Sequence, residues 1–260
     1  MLAVQLFFCS LTTEAGAEPS VRGPAHKLRL ELDLPIVLVA GSIASSFFFL
    51  PEARGVACAP NCDRSRINRF DRAAAGLYDP TWSTVGDIAT VATLAVPLVA
   101  IVVDEGLENG LRDDLVVAEA MLVTSALQVS VSYAVGRPRP RVYGDDAPLD
   151  ERTDANAARS FFSGHVADTV ATSVAGLRTF QRLGKPTLGW VLFGVGIAGS
   201  SLVGLSRVAS GAHFPSDVIA GAAIGTGMGL VLPAIHESGV QMLPFVGADG
   251  GGLMVGGRLP

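Results

Sequence analysis

The sequence predicts an all-α fold, a multi-pass transmembrane bundle of about six helices, with a possible short C-terminal β-hairpin. Three observations point there. Mean hydropathy is +0.44 over 260 residues, and charged residues make up 17%, against about 25% in ordinary soluble domains. The apolar residues gather into separated runs of near-spanning length. Glycine is abundant, with 30 copies, and small residues let membrane helices approach closely. Buried helices of a large soluble protein are the competing architecture. The net charge of −5 leaves no basic surface for nucleic acid, so that class of partner is excluded.

Taken in chain order, residues 1–17 hold an apolar run from Leu2 to Leu11, followed by Ala15-Gly16-Ala17. Small residues there suit a signal-peptide cleavage site, although the basic n-region is missing. An ordinary frayed terminus is the alternative. Further apolar segments follow at 35–50, 84–103, 114–135, 164–181, 187–206 and 214–235. A helix crossing the hydrocarbon needs about 20 residues. The run from Pro35 to Leu50 is short by that measure, and 164–181 carries Asp168 and turns basic at Arg178 and Arg182. Polar connections fall at 51–83, 104–113, 136–163, 182–186 and 207–213. Beyond Ile235 the texture changes, with apolar stretches on either side of Asp249-Gly250-Gly251-Gly252. That pattern fits a hairpin turn or a flexible tail. The chain thus divides into a possible signal peptide (1–17), a membrane domain (33–236) and a tail (237–260).

Cys9 lies in the N-terminal apolar run, and Cys58 and Cys62 share a polar loop. The pair suits a disulfide in an oxidising compartment, half of a zinc site, or two free thiols. No second Cys or His pair stands nearby, which argues against zinc.

Two of the four histidines stand in unusual company. Ser206-Arg207 is followed by five residues, His213, three more residues and Asp217. Pro215 favours a helix start just there, and residues four apart on a helix face each other. Asp217 is therefore expected to accept the Nδ1–H of His213 and leave Nε2 free as a nucleophile. The second stretch, Ser160-Phe161-Phe162-Ser163-Gly164-His165, opens another helical segment. Ser163 suits an N-cap, Ser163 and Gly164 offer backbone N–H groups to an anion, and His165 is placed to protonate a departing oxygen. The third, Gly136-Arg137-Pro138-Arg139-Pro140-Arg141, ends a span with several guanidiniums, which make forked bonds to phosphate oxygens. Singly, these are a core histidine, a helix cap and a headgroup anchor. In an up-and-down bundle all three lie at one end, and charged groups gathered there mark a functional site.

On these residues the sequence resembles the type 2 phosphatidic acid phosphatase superfamily, in its membrane lipid phosphatase branch. The motif Ser-Arg-x5-His-x3-Asp is met by Ser206, Arg207, His213 and Asp217. Pro-Ser-Gly-His is met by Ser163, Gly164 and His165, with Phe162 in the proline position. Lys-x6-Arg-Pro is met by Arg139 and Pro140, with Ser132 in the lysine position. The resemblance implies a hydrolase without metal or other cofactor, acting on a lipid phosphate: phosphatidate, phosphatidylglycerol phosphate, an isoprenyl diphosphate or lipid A. His213 would form a phosphohistidine, His165 would serve as acid and then base, and Asp217 would align His213. Arg139, Arg207, Ser163 and Gly164 would hold the phosphate, with Arg137 or Arg141 standing in for the missing lysine. Its bacterial relatives imply an inner-membrane protein with the site facing the periplasm. The basic regions 51–83 and 178–185 give conflicting votes on orientation, and oxidation of Cys58 and Cys62 would favour an outside site. A phosphotransferase, a haloperoxidase, an impaired lipid-binding or transport protein, and a heme or metal protein are the competing functions.

Overall fold

The computed structural model describes residues 23–46, 56–237, 241–247 and 250–256. The expected signal peptide and Cys9 lie outside the described residues. Among those described are six α-helices and one hairpin.

Helix α1 (Leu30–Ser45) starts five residues ahead of the apolar run. Asp33 closes its first turn, its Oδ2 accepting the backbone N–H of Arg29 at 2.6 Å. Helix α2 (Pro80–Val135) opens with Pro80 at its first position and Asp79 as N-cap, whose carboxylate accepts from the amides of Thr81 and Trp82. Proline and aspartate satisfy the orphan amides of a first turn. The helix is two arms rather than one rod. Gly106 breaks it with φ 76° and ψ 171°, a conformation that favours glycine. Gly110 then packs on the backbone of Val102, leaving no room for a Cβ. The polar stretch 104–113, expected as a connection, is therefore almost wholly helical, and the chain reverses at one residue.

A short helix α3 (Leu149–Thr153) lies within the long connection that follows. Helix α4 (Gly164–Arg182) is the centre of the bundle, with most of its residues buried among α2, α5 (Pro186–Ala209) and α6 (Pro215–Glu237). Its polar residues Thr169, Thr172, Ser173 and Thr179 are buried and bond back to carbonyls one turn earlier. Lipid never meets them. Gly221, Gly225 and Gly229 form a stripe on α6 against the backbone of α4 at Ser163, Ala167 and Ala171. Small residues at that period bring two backbones together, and here they fix the start of α4 against α6.

The stretches Pro80–Tyr143, Pro186–Ala209 and Pro215–His236 are long and apolar enough to cross a membrane. The first supplies two passes by folding back. Ile88, Val91, Val103, Val195, Leu205 and Ile219 are exposed on these helices and form the face expected toward lipid. The bundle has two distinct ends. The loops 56–79, 136–163 and 210–214 cap one end, the site end. The Gly106 turn, the turn 183–185 and the outer ends of α1 and α6 form the other.

The cap has small cores of its own. Val56, Cys62, Val142, Ala157 and Ala158 form one, and Ile67, Ala74, Ala75 and Phe214 form another. Cys58 and Cys62 are joined in a disulfide. Strands β1 (Gln241–Gly247) and β2 (Gly250–Gly256) pair antiparallel, Gly247 opposite Gly250. This is the hairpin expected from the glycine run, and its turn residues lie outside the described residues.

Candidate active site

His213 sits in the turn between α5 and α6. Gly211, with φ 72°, makes that turn possible, and a Cβ there would run into the Leu77 carbonyl. The amides of Ala212 and His213 both donate to the Arg207 carbonyl, at 3.0 and 3.1 Å. The ring is 3% exposed, and its Nδ1 lies 2.6 Å from the Ser160 carbonyl. Nδ1 therefore carries the proton and donates it, and Nε2 is the free lone pair. Burial, with Arg139 beside the ring, holds the His213 pKa well below its usual value, against the pull of the Ser160 bond.

The expected partnership of His213 with Asp217 is corrected by this geometry. Asp217 does not hold the ring; the Ser160 carbonyl does. Asp217 Oδ2 accepts from Ser160 Oγ at 2.6 Å and from the Phe214 amide at 2.9 Å. It fixes the residue whose carbonyl takes the imidazole proton and the residue that follows the imidazole. Starting α6 at Pro215 points Asp217 back into its own first turn, so the four-residue spacing to His213 never becomes a helical pair.

Arg137 is likewise corrected. Its guanidinium bonds Asp217 Oδ1, Ser216 Oγ (2.9 Å) and Asp71 Oδ2 (2.8 Å), and lies 4.4 Å over the Phe214 ring. Burial alone would raise Asp71, but bonds from Ser216, Arg137 and Asn68 outweigh it and hold the carboxyl below its usual range. Arg137 is a tie between the cap and α6, and it is not among the residues that line the cavity described next. Arg141 is also engaged elsewhere, its Nε 3.2 Å from the Glu151 carbonyl.

The remaining expected residues converge. A cavity of about 440 Å³ is lined by Arg139, Gly164, His165 and His213, with Ser132, Asp168 and Gln128 deeper in the bundle. Arg139 is crowded. Burial and the neighbouring guanidiniums of Arg141, Arg207 and Arg159 lower its pKa to about 9, a cost that an anion in the cavity relieves. Ser163 is the N-cap residue of α4 but makes no capping bond, and its buried Oγ has no partner among the described residues. Nε of Arg207 and Nε of Arg159 are in the same condition. Three buried donors in or beside one cavity lack acceptors, and groups of that kind are costly unless something accepts from them.

Four contributors escaped the sequence reading. Asp87, on the first arm of α2, accepts from Arg207 Nη2 and lies 3.5 Å from His165 Nε2. Ser160 supplies the carbonyl on His213. Asn156 lines the cavity and takes Arg139 Nε on its carbonyl at 2.8 Å. Arg159 lines it too, stacked 4.0 Å over the Tyr133 ring. Ser132 is 2% exposed on the same wall, its hydroxyl turned back to the Val129 carbonyl. A cation thus enters the cavity that holds Ser132, from a different part of the chain. Arg159 stands three residues before Phe162, where no spacing rule marks it.

No curated protein matches the chain. Among solved structures, it is similar to one described as the first transmembrane PAP2 type phosphatidylglycerolphosphate phosphatase from Bacillus subtilis. Identity is 19%, the TM-score is 0.43, and the match covers 80% of this chain and 97% of that one. The model of the PAP2 superfamily matches residues 115–239. That segment carries the second arm of α2, both site histidines and Asp217, and over it the chain is similar to the PAP2 superfamily.

Proposed function

We propose that the protein is a membrane phosphatase that hydrolyses a lipid phosphate monoester or diphosphate through a phosphohistidine on His213. The observation that carries this reading is the cavity itself: a free imidazole Nε2, a second imidazole and unsatisfied cationic donors, all around one anion-sized space. Nε2 of His213 attacks phosphorus as the bond to the leaving oxygen breaks, and His165 gives that oxygen its proton. Water then attacks the phosphohistidine, His165 takes the proton, and the P–N bond breaks to release inorganic phosphate. Arg139, Arg207 and Arg159 stabilise the charge that develops on the equatorial oxygens, together with Ser163 and Gly164 at the start of α4. Arg159 takes the place of the lysine missing at Ser132. Asp87 is the anion that His165 faces when it carries the proton.

The lipid part of the reading rests on a second groove of about 450 Å³ between α1 and the second arm of α2. Leu32, Ile36, Val39, Ile43, Val123 and Leu127 line it, and α1 runs on from there to Ala44 at the phosphate cavity. A hydrocarbon chain in this groove points its headgroup at His213. The membrane domain is assigned to 33–236. The Cys58–Cys62 disulfide in the cap favours an oxidising compartment at the site end, which is the periplasm if the host membrane is a bacterial inner membrane.

The test is phosphate release by purified protein from phosphatidate, phosphatidylglycerol phosphate, an isoprenyl diphosphate and lipid A. Turnover of at least one is expected, with loss of roughly 10⁴-fold or more in His213→Ala. Release that survives this substitution removes the mechanism. Transfer of the phosphoryl group to an added alcohol in place of water identifies a phosphotransferase instead.

A further inference from the structure

We propose that Asp33, Glu119 and His236 form a site for one divalent transition-metal cation, of the zinc class, at the end of the bundle opposite the phosphate cavity. The three come from the first turn of α1, the second arm of α2 and the last turn of α6. His236 stands 21 positions after Pro215 on α6, which at 1.5 Å per residue is about 30 Å. Nothing in the phosphatase chemistry uses them.

The arrangement is that of a ligand set. His236 Nδ1 donates to the Leu232 carbonyl one turn earlier, at 2.9 Å. That bond fixes the tautomer and turns the Nε2 lone pair inward, as second-shell bonds do for metal-bound histidines. Nε2 lies 3.0 Å from Asp33 Oδ1 and 3.2 Å from Glu119 Oε2. Those separations are near the edge of a tetrahedron with bonds of about 2.0–2.1 Å, roughly 3.3 Å. All three candidate ligand atoms lie within 4.8 Å of one another.

The second observation concerns Glu119 by itself. It is 0% exposed, and its Oε1 has no hydrogen-bond partner among the described residues. A carboxylate left so in a helix bundle is costly, and one imidazole cannot balance two carboxylates. A doubly charged cation can. The neighbours do not fill the gap. The His26 ring lies 6.4 Å from that of His236, but its nitrogens are committed to Thr179 Oγ1 and Arg182 Nη1, both at 3.0 Å. Arg29 bonds Asp33 Oδ2 through its backbone amide and the Ile235 carbonyl through Nη2. Oxygen and imidazole donors without thiolate suit zinc or a neighbouring divalent metal, with a fourth position open to water. The cation would tie α1 to α6, which packing alone joins weakly, and would enter as the helices assemble.

The experiment measures metal in the full chain, purified in detergent from zinc-replete cells and washed with EDTA. About one zinc per chain is expected in the wild type, and equally in His213→Ala, because that substitution lies at the other end. Glu119→Gln and His236→Ala should each lose it while keeping the wild-type helical circular-dichroism spectrum and a cooperative thermal unfolding, which shows they are folded. Wild-type protein from zinc-depleted cells should unfold at a lower temperature than the replete protein. Less than roughly a tenth of an equivalent in replete wild type, or zinc unchanged in both variants, overturns the proposal. Because metal content is read without turnover, failure of the phosphatase reading leaves this result intact.

Discussion

Around the cavity at the site end the charge is cationic and open; around Asp33, Glu119 and His236 at the far end it is anionic and closed. Arg139, Arg159 and Arg207 stand in or beside a cavity that a ligand can enter, and Nε of Arg159 and Nε of Arg207 have no acceptor among the described residues. Asp33 and Glu119 are sealed between three helices with an acceptor unspent. Each end holds groups that cannot satisfy themselves, and the sign of the shortfall names the visitor: an anion at one end, a cation at the other. The difference in access separates the consequences. Substitutions at the site end should change turnover more than folding, and substitutions at the far end the reverse.

The sharpest test of the cationic end, after His213 itself, is Arg159→Ala. It should lower kcat by roughly 10²–10³-fold while the unfolding temperature changes little. Adding Ser132→Lys to that variant should restore a large part of the loss, because both positions line the same wall. A double variant no better than Arg159→Ala alone would show that Arg159 does not stand in for the lysine.

Asp217→Asn sits between the two behaviours. Asp217 is joined to Ser160, Phe214 and Arg137, so it positions His213 through its neighbours. Turnover should fall about tenfold, and stability by about 1–3 kcal/mol as Arg137 loses one of two carboxylates. A direct triad role predicts a loss nearer the roughly 10⁴-fold typical of removing an orienting carboxylate. Single-turnover kinetics on a lipid phosphate distinguish the two.

How far the sequence reveals each end follows from the chemistry of spacing. Apolar runs set the helices within a few residues, because lipid-facing surface must be apolar. They blurred where a helix is shielded. α4 reads as polar because its neighbours, not lipid, surround it, and α1 extends upstream because Asp33 closes a turn that no hydropathy pattern requires. The 104–113 stretch read as a loop because its charges hide a one-residue reversal at Gly106. The site motifs were legible since Ser163 to His165 and Arg207 to Asp217 are local in sequence. Roles within them were less so. Asp217 and Arg137 have the right types, yet they bond each other, and Arg137 also bonds Asp71, a residue far upstream. Asp87, Arg159 and the far-end triad are single residues on segments far apart in the chain, and only packing brings them to their sites.

The smallest effect expected at the site end is the loss of rate that protonation of His213 would cause in acid. A histidine nucleophile must be neutral, and an ordinary one loses that form as pH falls through about 6.5. Burial and Arg139 lower the pKa of His213 in the folded protein, so the neutral form persists below that point. The linked stability runs the other way. Unfolded His213 takes up a proton below about pH 6.5 and folded His213 does not, so its contribution to stability is present above that pH and declines as pH falls toward the folded pKa. Phosphoenzyme formation in single turnover should therefore not fall between about pH 7 and about pH 5.5, while the unfolding temperature drops. A tenfold fall in phosphoenzyme formation, with the protein still folded, would mean that His213 is solvated like a surface histidine and that the cationic end does not exclude its proton.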